Sequence, residues 1–200
     1  MTQTRSTQGY TLIEVMMAIG IMTAGVVGIL GLQNTSTRAN MEARRIATAT
    51  NITRTWIERI NRDALNWNSN NAGAILNTRY LDATAAACAW TVPDPRVAGI
   101  GLDVESYAFD WFGRDVDPAN DDPRYCVQIC SSWVWNNEAA RVEARTWYIR
   151  ESTDPNLAGL TNATYDDCAS GNPAAIDAQV GPGGQLRAVT ASTIVRWWPL

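Results

Sequence analysis

Between Glu14 and Arg38 the chain carries no charged residue, and most of residues 15 to 32 are apolar. These 23 uncharged residues, 15 to 37, exceed the roughly 20 that cross a bilayer core at about 1.5 Å rise each. The nine residues before Tyr10 are polar and hold one charge, Arg5. A secretory signal places its apolar stretch before the cleavage point. Here the apolar stretch would follow it and survive processing. Glu14 is the anomaly, because a carboxylate near the start of a membrane segment costs several kcal/mol unless it finds a partner. Cleavage after Gly9 would free the amine of Tyr10, four residues from Glu14 on the same helical face. The carboxylate can then meet that amine, or its equivalent on a neighbouring copy.

The stretch Gly9-Tyr10-Thr11-Leu12-Ile13-Glu14-Val15 resembles the class III signal of type IV prepilins and pseudopilins, whose usual form is Gly-Phe-Thr-Leu-Ile-Glu. The resemblance covers residues 5 to about 66 well and the remainder in outline. It implies cleavage by a prepilin peptidase between Gly9 and Tyr10, methylation of the new amine, and docking of the subunit into a filament through Glu14. Tyr10 replaces the commoner Phe, a conservative aromatic change. Gly31 stands where many major pilins carry a helix-kinking Pro, which points away from a major pilin. A plain signal-anchor helix is the alternative, and it has no need of Glu14. Gly20, Gly25, Gly28 and Gly31 suit either a helix-packing face or ordinary membrane-helix composition. At about 1 kcal/mol each they also make local melting of the helix easier.

Beyond the leader and the membrane helix, enough chain remains for one soluble domain. Sixteen Arg and no Lys stand against 20 acids, so nucleic acid is not the expected partner. The sequence has no His, which removes the commonest general base and metal ligand. No phosphate loop or marked carboxylate pair is present, so we expect neither an enzyme nor a bound cofactor. Arg5 belongs on the cytoplasmic side by the positive-inside rule, with the head on the other. In that oxidising compartment Cys88, Cys126, Cys130 and Cys168 read as two disulfides. A four-thiolate zinc site fits less well, because Cys-x3-Cys with two distant singles differs from the paired Cys-x2-Cys of zinc ribbons.

From Gln33 the helical pattern continues. Ile46, Ala49, Ile52, Trp56, Ile60, Ala64 and Trp67 recur every three or four residues among polar ones. Glu58 with Arg62, and Glu42 with Arg45, have helical spacing for ion pairs. An unbroken helix from Tyr10 to about Asn66 would be roughly 85 Å long; a short anchor plus a separate head helix fits the same pattern. Turn formers over 66–73 end it. A loop region follows, with a short helix possible over Leu81 to Cys88. Strand signals begin at Val104, with Tyr107, Phe109 and Trp111 alternating as if on one face against the helix.

Asp115, Asp117, Asp121 and Asp122 cluster between Arg114 and Arg124. Their order does not match a calcium loop, and an exposed acidic turn is the simpler reading. Tyr125 to Trp135 and Val142 to Ile149, joined at Asn136-Asn137, make the clearest hairpin. On such a strand Cys126 and Cys130 lie about 13 Å apart, against the roughly 7 Å a disulfide tolerates. Two pairings remain: 88–126 with 130–168, or 88–130 with 126–168. Residues 152–184 read as loop, with Cys168 tying them down. Leu186 to Trp198 is one long strand or a strand pair. The order implies an α+β fold, a long N-terminal helix laid against a small antiparallel sheet as in type IV pilins. The expected organisation is 1–9 leader, 10–33 membrane or filament-core half of the helix, and 34–200 head.

Nine tryptophans are many for 200 residues. Some of Trp133, Trp135, Trp197 and Trp198 are expected at the surface, where Trp anchors interfaces, and others in a core with only two Phe. The run from Ile19 to Gln33 resembles the V-type minor pilins. That resemblance implies an inner-membrane protein that joins other minor pilins, the major pilin and the assembly platform to prime a filament, with its head in the periplasm and later at the cell surface. Its activities would include twitching motility and adhesion from a tip position. A minor pseudopilin of a type II secretion system shares the same N-terminus, and a tip adhesin or DNA-binding pilin is a third class.

Overall fold

The computed structural model describes residues 11–67, 74–82, 84–93, 106–117, 123–149, 168, 176–177, 180 and 186–196. Helix α1, Leu12–Asp63, is continuous and passes into a 3-10 turn, Ala64–Asn66. A short anchor with a separate head helix is therefore not what this chain builds. By contacts the chain divides into two units, residues 1–45 and 46–200. The leader, Gly9 and Tyr10 lie outside the described residues.

In the first unit the chain is helical from Leu12 onward. Hydroxyls that would be costly in an apolar setting bond back to the helix: Thr23 Oγ1 donates to the Gly20 carbonyl at 2.9 Å and Thr35 Oγ1 to that of Gly31 at 3.2 Å.

In the second unit the rest of α1 packs on a four-stranded antiparallel sheet. Its strands are β1 (Ala108–Phe109), β2 (Tyr125–Trp135), β3 (Ala139–Ile149) and β4 (Leu186–Arg196), adjacent in chain order. Ala49, Ile52, Thr53, Trp56 and Ile60 are the buried stripe of the helix, the 3.6-residue pattern expected of a face laid on a sheet. Ile46, expected in that stripe, is half exposed. The packing begins at Thr48 and Ile52, where the turn around Gly113 meets the helix, and Ile46 falls short of it. Thr53 breaks the apolar stripe without cost. Its hydroxyl donates to the Ala49 carbonyl at 2.8 Å and lies 2.7 Å from the Thr146 hydroxyl of β3.

The hairpin of β2 and β3 turns at 136–138, with Asn137 at φ 61°. Asn tolerates this left-handed conformation better than most residues. A bulge lies between Trp133 and Trp135. Trp133 faces the helix side and meets Trp67 edge-on at 5.8 Å, whereas Trp135 is 61% exposed. Tyr125 through Ser131 are all buried, so this half of the sheet is covered on both faces.

The outer cover comes from segments held by disulfides. Cys88 bonds Cys130 and Cys126 bonds Cys168, which selects one of the two pairings open from sequence and leaves no thiolate for a zinc site. The segment before and after Cys88 lies along the β2 edge, with bridges Ala85 to Ser132 and Thr91 to Ile129. The helix expected over Leu81 to Cys88 is thus replaced by a bent, edge-paired path; the 3-10 turn lies earlier, at Ala74–Asn77. Pairing with β2 and the bond to Cys130 outweigh a weak local helix preference.

Candidate functional site

Glu14 stands in the first turn of α1, where the helix dipole favours a negative charge. The amides of Glu14 and Val15 donate to the Thr11 carbonyl at 3.1 and 3.3 Å, which starts the helix just before the carboxylate. Glu14 shares a shallow stripe with Val15, Ala18, Ile19 and Met22. Among the described residues it has no ion-pair partner. The next charge in the chain, Arg38, lies 24 residues on, about 36 Å along a helix. Within the described residues, no cation lies near enough along the helix to serve as its counter-charge.

The surface around it is apolar on every side. All thirteen Leu, Ile, Val and Met side chains between Leu12 and Leu32 are exposed, from 46% to 80%. The most apolar 18-residue window has a mean hydropathy of 2.3 and none of it is buried. An uncovered surface of this size is unfavourable in water, and the helix is long and apolar enough to cross a membrane. Around Gly20, Gly25, Gly28 and Gly31 a Cβ would meet nothing within 4 Å, so another helix has room to approach the backbone there.

Among the described residues of the second unit, several charges serve structural bonds. Asp115, a calcium candidate in sequence, accepts two hydrogen bonds from the Arg59 guanidinium at 2.9 and 2.7 Å and one from the Ser106 amide at 2.9 Å. With its oxygens filled and a cation beside it, this carboxylate is a poor calcium ligand. Asp117 is also engaged; Asp121 and Asp122 lie outside the described residues. Arg59 spreads over the rings of Trp56 and Phe109, 5.1 and 5.8 Å from their centroids. Asp63, near the helix C-terminus where an acid is disfavoured, is stabilised by the amides of Arg79 and Tyr80, each at 2.8 Å. Sequence reasoning passed over these roles, although Trp56, Arg59, Ile60 and Asp63 share one helical face.

Comparison with protein-family models, with curated proteins and with solved structures finds no match.

Trp111, expected to alternate with Tyr107 and Phe109 on the helix-facing side, instead leaves the strand. β1 stops at Phe109, because the Asp110 carboxylate accepts from the amides of Phe112 and Arg114 at 2.8 and 2.9 Å and from Arg114 Nε at 2.8 Å. The turn so formed presents Trp111 and Phe112, 48% and 80% exposed, with Arg114 and Arg124 lying over Phe112 and Trp111 at 5.2 and 4.7 Å. Gly113 occupies φ +77°, and a Cβ there would lie 3.1 Å from Thr48 Cγ2. Gly113→Ala is expected to cost about 1–2 kcal/mol in denaturant unfolding, from the left-handed backbone and the close approach together.

Burial works against the Asp110 carboxylate, but hydrogen bonds from the Arg114 amide and guanidinium and the Phe112 amide outweigh it. Its pKa is held below the ordinary value of 3.8. A lowered folded-state pKa means stability that is present above the unfolded value and lost as pH falls through the folded one. Asp110→Asn is therefore expected to cost about 1 kcal/mol at neutral pH, a modest figure because Arg114 is largely exposed. The gap between wild type and variant closes as the pH falls below the ordinary carboxylate value of 3.8 and through the lowered folded-state value, a trend that urea titrations at several pH values will read.

Proposed function

We propose that this chain is a minor pilin of a type IV pilus, anchored in the bacterial inner membrane, processed at Gly9–Tyr10 and assembled through Glu14. One observation carries the reading: an entirely uncovered apolar helix begins beside a single carboxylate that has no partner among the described residues. A plain anchor needs the helix but not the acid. A subunit that packs its helix against others needs both, because pairing Glu14 with the amine of Tyr10 on an adjacent subunit neutralises two charges away from water. The α+β head, stapled by two disulfides, suits an exposed extracellular surface. Prepilin peptidase, other minor pilins, the major pilin, the assembly platform and membrane lipid are the partners of this reading, and no catalysis is assigned.

The test is the intact mass of the protein from membranes, before and after reduction. Loss of residues 1–9, gain of one methyl group and uptake of four hydrogens on reduction are expected. An uncut N-terminus would return the helix to a plain anchor and remove the assembly role with it.

A further inference from the structure

The outer face of the sheet holds a cation that filament assembly does not use. Arg145 of β3 lies opposite Gln128 of β2 and is only 5% exposed. On β2, Gln128 sits midway between Cys126 and Cys130, so the guanidinium falls between the two disulfides. Arg145 Nε donates to Gln128 Oε1 at 2.8 Å, Nη1 donates to the Asp177 carboxylate, and the guanidinium stacks 4.2 Å from the centre of the Trp90 ring. Nη2 is buried with no hydrogen-bond partner among the described residues.

The two groups that cover this cation from outside the sheet reach it on separately tethered segments. Trp90 follows Cys88 by two residues and Asp177 follows Cys168 by nine, and each cysteine is bonded to β2 on one side of Gln128. Arg145 is the buried member of this pair and Asp177 is half exposed; without its carboxylate the buried guanidinium must be hydrated instead. Hydrating Arg145 requires the layer above it to lift. Freed from its disulfide, either segment regains the chain entropy that the crosslink had removed.

We infer that Arg145 couples the two disulfides: Trp90 and Asp177 close over the cation only when both bonds are formed, and loss of either uncovers it. Each closure converts two thiols into one disulfide, passing two electrons and two protons to a disulfide oxidant that leaves as two thiols. The head therefore presents its finished outer surface only in an oxidising compartment. This holds whether or not the chain enters a filament.

The test is hydrogen exchange on the full chain in detergent micelles. Replacing only the second disulfide, with Cys126→Ala and Cys168→Ser, is expected to speed exchange at least tenfold around Trp90, a segment still tethered by Cys88–Cys130. With Arg145→Met added, that remote effect is expected to shrink below threefold. Two independent structural crosslinks would each loosen only their own segment, so an unchanged Trp90 segment overturns the coupling. An equally large remote effect in the Arg145→Met background overturns it as well. Should Arg145→Met not fold, Asp177→Asn, at a half-exposed position, removes the counter-charge with both disulfides intact. Faster exchange around Trp90 is then expected, and no change there refutes the inference.

Discussion

Glu14→Ala is expected to insert in the membrane and to be cut at its N-terminus like the wild type, yet to fall roughly a hundredfold or more in recovery from sheared filaments. Insertion is insensitive to the change because the apolar window that drives it begins beside Glu14 and is untouched by Ala. On the proposed function assembly is sensitive, because it pairs this carboxylate with an amine in a medium that cannot hydrate either. Stranding one charge of such a pair costs about 3–5 kcal/mol, which is two to three orders of magnitude in an association equilibrium. Glu14→Gln keeps the size and the hydrogen-bonding capacity without the charge, and is expected to assemble nearly as poorly. Comparing immunoblots of membrane and sheared fractions, together with intact masses, separates assembly from insertion. Normal filament incorporation of the Ala variant would show that Glu14 is incidental.

The largest effect on stability is expected at Trp56. Its side chain is fully buried, lies edge-on to Tyr80 at 5.3 Å and carries the Arg59 guanidinium over one face. Trp56→Ala therefore opens a cavity and strips Arg59 of the surface that shields its bond to Asp115. A loss of about 3–5 kcal/mol follows from such a truncation. For a chain of this size that corresponds to a fall in Tm of roughly 10–15 °C. Trp56→Phe keeps an aromatic edge for Tyr80 and is expected to lose less than half as much. Thermal and denaturant unfolding of the oxidised protein in micelles measure both, and a loss under about 1 kcal/mol for Ala would mean that the helix is not held to the sheet in this way.

Much of the architecture was legible because it depends on neighbours in sequence. The helix could be read from a charge-free run followed by apolar residues at 3.6 spacing, and the structure ends it at Asn66 after one 3-10 turn. The β2–β3 hairpin could be read from two β-rich runs around Asn136-Asn137, because an Asn can adopt the positive φ such a turn needs. Leu186 begins the last strand as expected, and that strand is single through Arg196. The misreadings fall where a distant partner or a side-chain cap overrode local preference. Trp111 was assigned to a strand by alternation, but the Asp110 carboxylate captures the following amides and turns the chain. The stretch from Leu81 to Cys88 has helix-compatible residues, yet the β2 edge and Cys130 draw it out.

The candidate site divides along the same line. By sequence alone the chain establishes a helix long and apolar enough for a membrane, an acid at its start and two cysteines, Cys126 and Cys130, that cannot bond each other on one strand, because each follows from charge, length and spacing along the backbone. The tertiary structure decided that Cys88 takes Cys130, that Asp115 serves Arg59 rather than a metal, and that Arg145 is buried between two crosslinks. Those outcomes depend on contacts between residues 32 to 56 positions apart, and no local pattern of residues encodes which distant surface will be there to meet them.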